Sequence, residues 1–137
     1  MRHRKQNTKF GRSTSHRGAL ISMLVVGLIK STSIKTTLQK AKVARQLAEK
    51  LVTVARKNDV ASRRRVTACL QDDVAVAKLF ASVVPMMEGR PGGFTRITKI
   101  GVRPSDSSEM CVLAWVTEKY EPKSAKVDAV AAAPVNA

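Results

Sequence analysis

The stretch TLQKAKVARQLAEKLVTVARK at residues 37–57 decides how the chain folds, because its spacing is that of an amphipathic helix. Small and apolar side chains recur every three or four residues, a period that places them on one side of a helix. They are Leu38, Ala41, Ala44, Ala48, Leu51, Val52 and Ala55. The opposite side is basic and carries Lys40, Lys42, Arg45, Lys50 and Arg56. We predict a helix capped by Thr37 that buries one face and leaves the other to solvent.

Three more helices are predicted around it. Helix one runs from about Ser15 to Lys30 and is apolar almost all round, with Leu20, Met23, Leu24 and Leu28 on one face, so we expect it to be central and buried. Helix three covers Val60 to Leu70 after Asp59. Helix four starts at Asp72 or Asp73 and ends before Pro85, because proline disfavours helix at the preceding residue. Its predicted inward residues are Val76, Leu79, Phe80 and Val83.

The last third of the sequence predicts two strands. Phe94 to Val102, anchored by Ile97 and Ile100, and Met110 to Thr117 are bounded by turn-forming residues, and we expect them to pair as an antiparallel hairpin. The residues Ile34 to Thr36 read as a short extended link. The fold class is α+β: a helical core of about four helices with a small antiparallel sheet. We divide the chain into a basic arm (1–12), one domain (13–119) and a flexible tail (120–137).

Charge is distributed very unevenly along the 137 residues, which carry a net +15. Residues 1–58 hold fourteen lysines and arginines and one acid, Glu49. Local ion pairs cannot neutralise that half, so an external polyanion is the expected partner. The arm contains one large apolar residue besides Met1, Phe10, and cannot offset the entropy of ordering, so we expect it to order only against phosphate.

Several classes of protein are excluded or disfavoured. Cys69 and Cys111 are far apart and form no metal-binding spacing, and the longest apolar run, Ala19 to Ile29, is too short for a membrane span. We expect a cytoplasmic protein with no membrane contact, no cofactor, no metal and no small-molecule substrate. His3 and His16 are the only histidines. They leave open a ribonuclease by general acid–base chemistry, although contact with phosphate is the favoured interpretation.

Two further strings are candidates for phosphate contact. In GRPGGFTR at residues 89–96, Gly92 and Gly93 allow a close approach of backbone to a ribose–phosphate chain, with Arg90 and Arg96 on either side; a tight entry into the strand explains the glycines equally well. The run Arg63-Arg64-Arg65 lies on helix three, where one side chain is expected to face the core and two to face outward. The scarcity of aromatic residues disfavours a single-strand reader and favours recognition of folded RNA by shape. A nucleoid-type DNA-binding protein is the alternative.

Five strings together resemble a known family. They are MRHRK at the start, KFGRSTSHRGAL at 9–20, IKTTLQKAKVAR at 34–45, AEKLVTVAR at 48–56 and RPGGFTRI at 90–97. They are similar to the seventeenth protein family of the bacterial large ribosomal subunit. The resemblance implies a non-enzymatic constituent of that subunit, bound to large-subunit ribosomal RNA and to neighbouring ribosomal proteins near the solvent side of the polypeptide exit tunnel.

The resemblance and the basic segments together give a set of candidate RNA-binding residues. The set comprises Arg2, His3, Arg4, Lys5, Lys9, Arg12, Ser13, His16, Arg17, Lys35, Thr36, Thr37, Lys40, Lys42, Arg63, Arg64, Arg90, Gly92, Gly93, Arg96 and Lys99.

Overall fold

A computed structural model of the chain describes residues 8–118. Helices come first and the sheet is completed last. The order is α1 (Thr14–Ser31), β1 (Ser33–Thr37), α2 (Leu38–Ala55), α3 (Val60–Leu70), α4 (Asp73–Lys78), a π-helical turn (Leu79–Val83), α5 (Val84–Met86), β2 (Thr95–Val102) and β3 (Glu109–Trp115). The predicted α+β class and the helices α1 to α3 are confirmed, with their ends within about two residues of the prediction. The proposed arm and tail fall mostly on residues 1–7 and 119–137, which lie outside the described residues.

The sheet has three antiparallel strands in the order β1-β3-β2. The hairpin of β2 and β3 is confirmed, but the interpretation of Ile34 to Thr36 as a link was wrong, because this segment pairs along β3 from Ser33↔Ala114 to Thr37↔Met110. The apolar strand β3 is central and needs a hydrogen-bonding partner on each side. The sequence of β1 gives little sign of this pairing, because a five-residue edge strand with mixed burial shows almost no alternation of apolar and polar residues.

The core surrounds α2, which packs against one face of the sheet and against α1, α3 and the π-helical turn. On β3, Cys111, Leu113 and Trp115 are buried, and the apolar face predicted for α2 is buried along its whole length. The Trp115 indole donates to the carbonyl of Leu28, which joins α1 to the sheet. Burial raises the pKa of the Cys111 thiol, which donates to the carbonyl of Thr36. Small alanines on α2 let the helix approach the strands closely.

The structure corrects four further expectations. Helix α1 buries only Val25, Leu28 and Ile29, and Met23 is 73% exposed, because α1 packs at the side of α2 and is not enclosed by other helices. Ile100 is 54% exposed, because strand alternation places it on the face opposite to Ile97 and it is the unpaired residue of the bulge between Lys99 and Gly101. None of the three consecutive arginines of α3 faces the core; all three are exposed.

Helix four also continues past Pro85. The amide of Val84 donates to the carbonyl of Leu79, and this wider π-helical turn accommodates a residue that has no N–H of its own. Leu79 and Val83 are buried as predicted, while Val76 and Phe80 are half-buried.

Candidate nucleic-acid interface

The first group of predicted residues surrounds the start of α1, and we call it the α1 cluster (Lys9, Arg12, Ser13, His16, Arg17). Lys9 and His16 are exposed, and Arg12 donates from Nη1 to the carbonyl of Phe10 at 2.9 Å. Ser13 is the N-cap in extended conformation, but its hydroxyl makes no cap hydrogen bond, and the first turn contains no acid. The α1 cluster therefore combines cations with helix N–H groups that no side chain of residues 8–118 caps.

The second group lies where β1 leads into α2, and we call it the α2 cluster (Lys35, Thr36, Thr37, Lys40, Lys42). Among residues 8–118, its three lysines have no hydrogen-bond or ion-pair partner. Thr37 caps α2 without a side-chain hydrogen bond, and the first turn again contains no acid. Thr36 is buried and faces Cys111 across the strands, so its side chain belongs to the interior and not to the basic surface.

The third group is the glycine loop (residues 89–96). Gly93 has φ +69° and Gly89 has φ +75°, and no heavy atom lies within 4 Å of the position that a Cβ would take at Gly92 or Gly93. The loop's two arginines converge on one residue: Arg90 donates to the Glu118 carbonyl at 2.9 Å, and Arg96 donates to both carboxylate oxygens at 3.1 and 3.2 Å. Glu118 thereby raises the pKa of Arg96.

The fourth group is on α3. The guanidinium of Arg63 lies 4.7 Å from the centre of the Phe80 ring and donates to Asn58 at 3.0 Å, whereas Arg64 and Arg65 extend into solvent. Of the two candidate residues on this helix, Arg63 is therefore partly committed to packing, whereas Arg64 is not.

The structure does not bring these groups to a single point. The α2 cluster lies at the first turn of α2, and the glycine loop lies beside its second half, where Glu49 contacts Gly93. Since α2 has eighteen residues, its two ends are about 27 Å apart. Lys35 and Arg96 do share the outer face of the sheet, opposite Val112 and Ala114 respectively. Lys99, next to the bulge of β2, is exposed.

The helix starts in the two halves of the chain differ. Asp59 and Asp72 cap α3 and α4, and their carboxylates accept from the amides of Ser62 at 2.6 Å and Ala75 at 2.8 Å. The side chain and then the amide of Ser62 hold the pKa of Asp59 below its usual value, and the Lys30 ammonium at 2.6 Å and then the Ala75 amide do the same for Asp72. In contrast, α1 and α2 have no such carboxylate at their starts.

Two functional candidates were missed from the sequence. Glu49 and Arg56 lie on α2 and contact the backbone of the glycine loop and of the turn before it. That Glu49 is the single acid in the first 58 residues was a usable signal, but its partners lie more than forty residues away in the sequence. In the sequence, nothing distinguishes Arg56 from the other lysines and arginines on the basic face of the helix.

Within residues 8–118 no group of side chains has the arrangement of a metal site, and no helix is long and apolar enough to cross a membrane. Arg2, His3, Arg4 and Lys5 lie outside the described residues.

Comparison with known proteins decides the family. The profile of the family described as ribosomal protein L17 matches residues 20–116, more than two thirds of the chain. The chain belongs to the ribosomal protein L17 family. It is 40% identical over 137 residues to the large ribosomal subunit protein bL17 of Syntrophobacter fumaroxidans, covering all of this chain and 90% of that protein. It is 46% identical over 115 residues to the bL17 protein of Methylacidiphilum infernorum (84% of this chain, 88% of that one) and 47% identical over 118 residues to that of Campylobacter concisus (86% and 100%).

Membership of the ribosomal protein L17 family makes the chain a structural ribosomal protein and not an enzyme. The resemblance read from the sequence is confirmed. The L17 match spans α1 from Leu20, the whole of α2 to α5, and the sheet, so the elements that position three of the four groups belong to the family's shared domain.

Proposed function

We propose that this chain is a structural constituent of the large ribosomal subunit that binds and braces folded large-subunit ribosomal RNA through phosphate contacts. Its partners are then that RNA and the neighbouring proteins of the subunit, and its place is the cytoplasmic ribosome, in translation. The relatives that match it over most of its length carry the name of a large ribosomal subunit protein.

The observation that carries the proposal is that no carboxylate of residues 8–118 caps the first two helix starts, and that Glu109 is the one acid lining the cleft beside Thr37 and Leu38. Residues 1–58 contain one acid, and its carboxylate is occupied by Arg45, Gly93 and Thr95. The α1 and α2 clusters therefore present uncapped helix N–H groups, and the three lysines of the α2 cluster form no ion pair within residues 8–118. Phosphate supplies both, since an anion pairs with lysine or arginine and accepts from the N–H groups of a helix start.

The four groups of candidate residues are spread over the surface, and this arrangement favours a folded RNA as the partner. Along α2, Lys40 and Glu49, where the glycine loop is attached, are about 14 Å apart, and two sites on one rigid helix suit a ligand whose phosphates are fixed in space. None of the four aromatic side chains within residues 8–118 is fully exposed to stack on bases, which favours recognition of backbone and shape. We include the whole candidate set except the buried Thr36, whose side chain holds β1 against β3.

The position near the solvent side of the exit tunnel is the finer part of the proposal, and it rests on the family resemblance. Cross-linking mass spectrometry on large subunits would test it, with cross-links expected from Lys35, Lys40 and Lys42 to proteins at the tunnel opening. Cross-links only to proteins at the subunit interface would contradict this location.

The central experiment is a binding comparison with three probes: a large-subunit rRNA transcript, a random DNA duplex of equal charge, and washed large subunits lacking this protein. We expect tight binding to the rRNA that weakens steeply with salt, stoichiometric incorporation into the subunits, and weaker binding to the duplex. Equal affinity for the duplex together with no co-sedimentation would favour the nucleoid-type DNA-binding protein. RNA cleavage that disappears in His16→Ala would favour the ribonuclease.

The basic arm is tested separately by deleting residues 2–12. If the arm orders against phosphate, the deletion reduces subunit incorporation far more than it lowers the melting temperature of the free protein. Equal incorporation of the shortened protein would contradict the role given to the arm.

A further inference from the structure

The glycine loop is tied to α2 by a carboxylate. Glu49 accepts from the amide of Gly93 at 3.3 Å through Oε2 and from the hydroxyl of Thr95 at 2.9 Å through Oε1. Arg45, one turn earlier on α2, donates to the same Oε1 at 3.3 Å and orients the carboxylate. Thr95 is 4% exposed, so this contact is shielded from water at one end.

A second tie is made by a guanidinium. Arg56 Nη2 donates to the backbone carbonyls of Met87 and Arg90, and Arg56 Cζ lies over the Phe94 ring, 4.7 Å from its centre. Met87 and Phe94 are both buried, so Arg56 joins the two fixed ends of the loop to the last turn of α2. A cation that donates to two carbonyls and stacks on a ring is committed to the fold and is not available to a phosphate.

Between these ties the loop presents Arg90 and Arg96 together. Both reach Glu118, so their guanidinium groups lie within hydrogen-bonding distance of a single residue. The bidentate geometry of Arg96 on that carboxylate is also the geometry of arginine on a phosphate. Gly92 and Gly93 leave the space beside them open.

We infer that Glu49 and Arg56 are positioning residues that hold the glycine loop in its RNA-binding conformation, so that Arg90 and Arg96 meet a phosphodiester as one preformed site, with the phosphodiester replacing the exposed Glu118 as their acceptor. The inference rests on the proposed function. It assigns opposite roles to residues of the same basic helix: Lys40 and Lys42 contact RNA, while Arg56 and the acid Glu49 act through the loop. A preformed loop binds more tightly because the conformational entropy of ordering it is lost during folding and not during binding.

The test uses the full chain and a large-subunit rRNA transcript, with Glu49→Gln as the main variant. Glutamine has one acceptor oxygen where glutamate has two, so it cannot accept from both Gly93 and Thr95. The substitution also makes the protein more positive, and charge alone would strengthen RNA binding. We expect instead that affinity falls about fivefold, as for the loss of one hydrogen bond. The slope of log affinity against log salt is expected to become shallower by about 1–2, because Arg90 and Arg96 no longer engage together.

The matched control is Glu109→Gln, the same change of charge at an exposed carboxylate that has no hydrogen-bond partner among residues 8–118. It is expected to keep or slightly raise the affinity. Arg56→Lys tests the second tie at constant charge, since lysine has no planar group to lie on Phe94, and Arg65→Lys is its control. Where Glu49→Gln is too unstable to purify, Arg56→Lys decides.

Two readouts separate positioning from general stability. Exchange of the Gly93 amide hydrogen should accelerate in Glu49→Gln, while exchange in α1 stays unchanged. In a double-mutant cycle, Glu49→Gln should cost little further affinity when Arg90 and Arg96 are already alanine, because the ties act only through them. Additive losses, or affinity in Glu49→Gln equal to that of Glu109→Gln, would overturn the inference. Failure of the unmodified protein to bind the transcript would instead overturn the proposed function.

Discussion

The first and second halves of this molecule start their helices in different ways. In the second half, Asp59 and Asp72 cap α3 and α4 with carboxylates that accept from backbone amides. In the first half, Ser13 and Thr37 start α1 and α2 without a side-chain cap bond, and the cations of the α1 and α2 clusters surround them. The difference is that carboxylates cap the helices of the second half, whereas no carboxylate of residues 8–118 caps those of the first half, which is where we propose that phosphate binds.

The largest expected effect comes from removing the cations of the uncapped half. The triple variant Lys35→Gln, Lys40→Gln, Lys42→Gln should bind a large-subunit rRNA transcript at least tenfold more weakly, with a salt slope flatter by about 2–3, because each phosphate contact contributes about 0.9. Its free energy of unfolding should not fall, since the three lysines have no ion-pair partner in residues 8–118. The control, Lys50→Gln, Lys57→Gln, Arg65→Gln, has the same net charge and should lose much less affinity. Equal losses would mean that only total charge matters.

A smaller effect is expected from replacing one glycine by alanine in each half of the chain. Gly93→Ala places a side chain at φ +69° and should cost about 1–2 kcal/mol of unfolding free energy. Gly18→Ala, on the exposed side of α1 with no heavy atom within 4 Å of its new Cβ, should stabilise by about 0.5–1 kcal/mol. Urea unfolding of both variants tests this, and the same sign for both would refute the role of backbone conformation at Gly93.

Adding a carboxylate cap to α1, like the caps of α3 and α4, should raise the stability of the protein and lower its affinity for RNA. Ser13→Asp adds a carboxylate at the start of α1 and should raise the free energy of unfolding by about 0.5 kcal/mol, because an anion is favourable there. The same carboxylate competes with phosphate, so rRNA affinity should fall a few-fold. Ser105→Asp, in the exposed turn before β3, is the charge control and should lose less affinity. If Ser13→Asp binds as tightly as the unmodified protein, phosphate does not approach the start of α1.

The smallest effect concerns pH and the caps of the second half. Hydrogen bonds hold the pKa values of Asp59 and Asp72 below the ordinary 3.8, with the Lys30 ammonium the main cause at Asp72. The unfolded state then binds more protons, so the stabilisation is complete above pH 3.8 and is lost as pH falls through the folded-state values. Asp106, whose pKa is lowered by Arg103, contributes in the same direction. Urea midpoints should decline less from pH 5 to pH 3 in the double variant Asp59→Asn, Asp72→Asn; an unchanged decline would exclude the caps as its source.

Most of the helical architecture could be predicted because it is local. The spacing of alanine and leucine in residues 38–55 gives both the helix and its buried face, and Asp59 and Asp72 give the starts of α3 and α4. The third strand could not be predicted, because Ser33–Thr37 becomes a strand only through hydrogen bonds to residues almost eighty positions away. The predicted end of helix four before Pro85 was wrong, because a π-helical turn accommodates the proline and the helix continues.

The candidate site divides in a similar way. The expectation of an external anion follows from counting the charges of the first half, and the positions of Lys40 and Lys42 follow from the helix period. The position of Lys35 does not, because it lies on β1. Which cations are available does not follow from the sequence. Arg56 and Lys42 lie on one basic face in the helix pattern. In the structure, however, the Arg56 guanidinium donates to the carbonyls of Met87 and Arg90.

The sequence by itself determined that this is a basic, helix-rich member of a ribosomal protein family, because composition, period and short motifs are properties of neighbouring residues. Only the tertiary structure decided that Glu49 joins the glycine loop to α2, that Arg90 and Arg96 converge on Glu118, and that Thr36 turns inward. Those relations connect residues that the chain separates widely, and a hydrogen bond depends on distance in space.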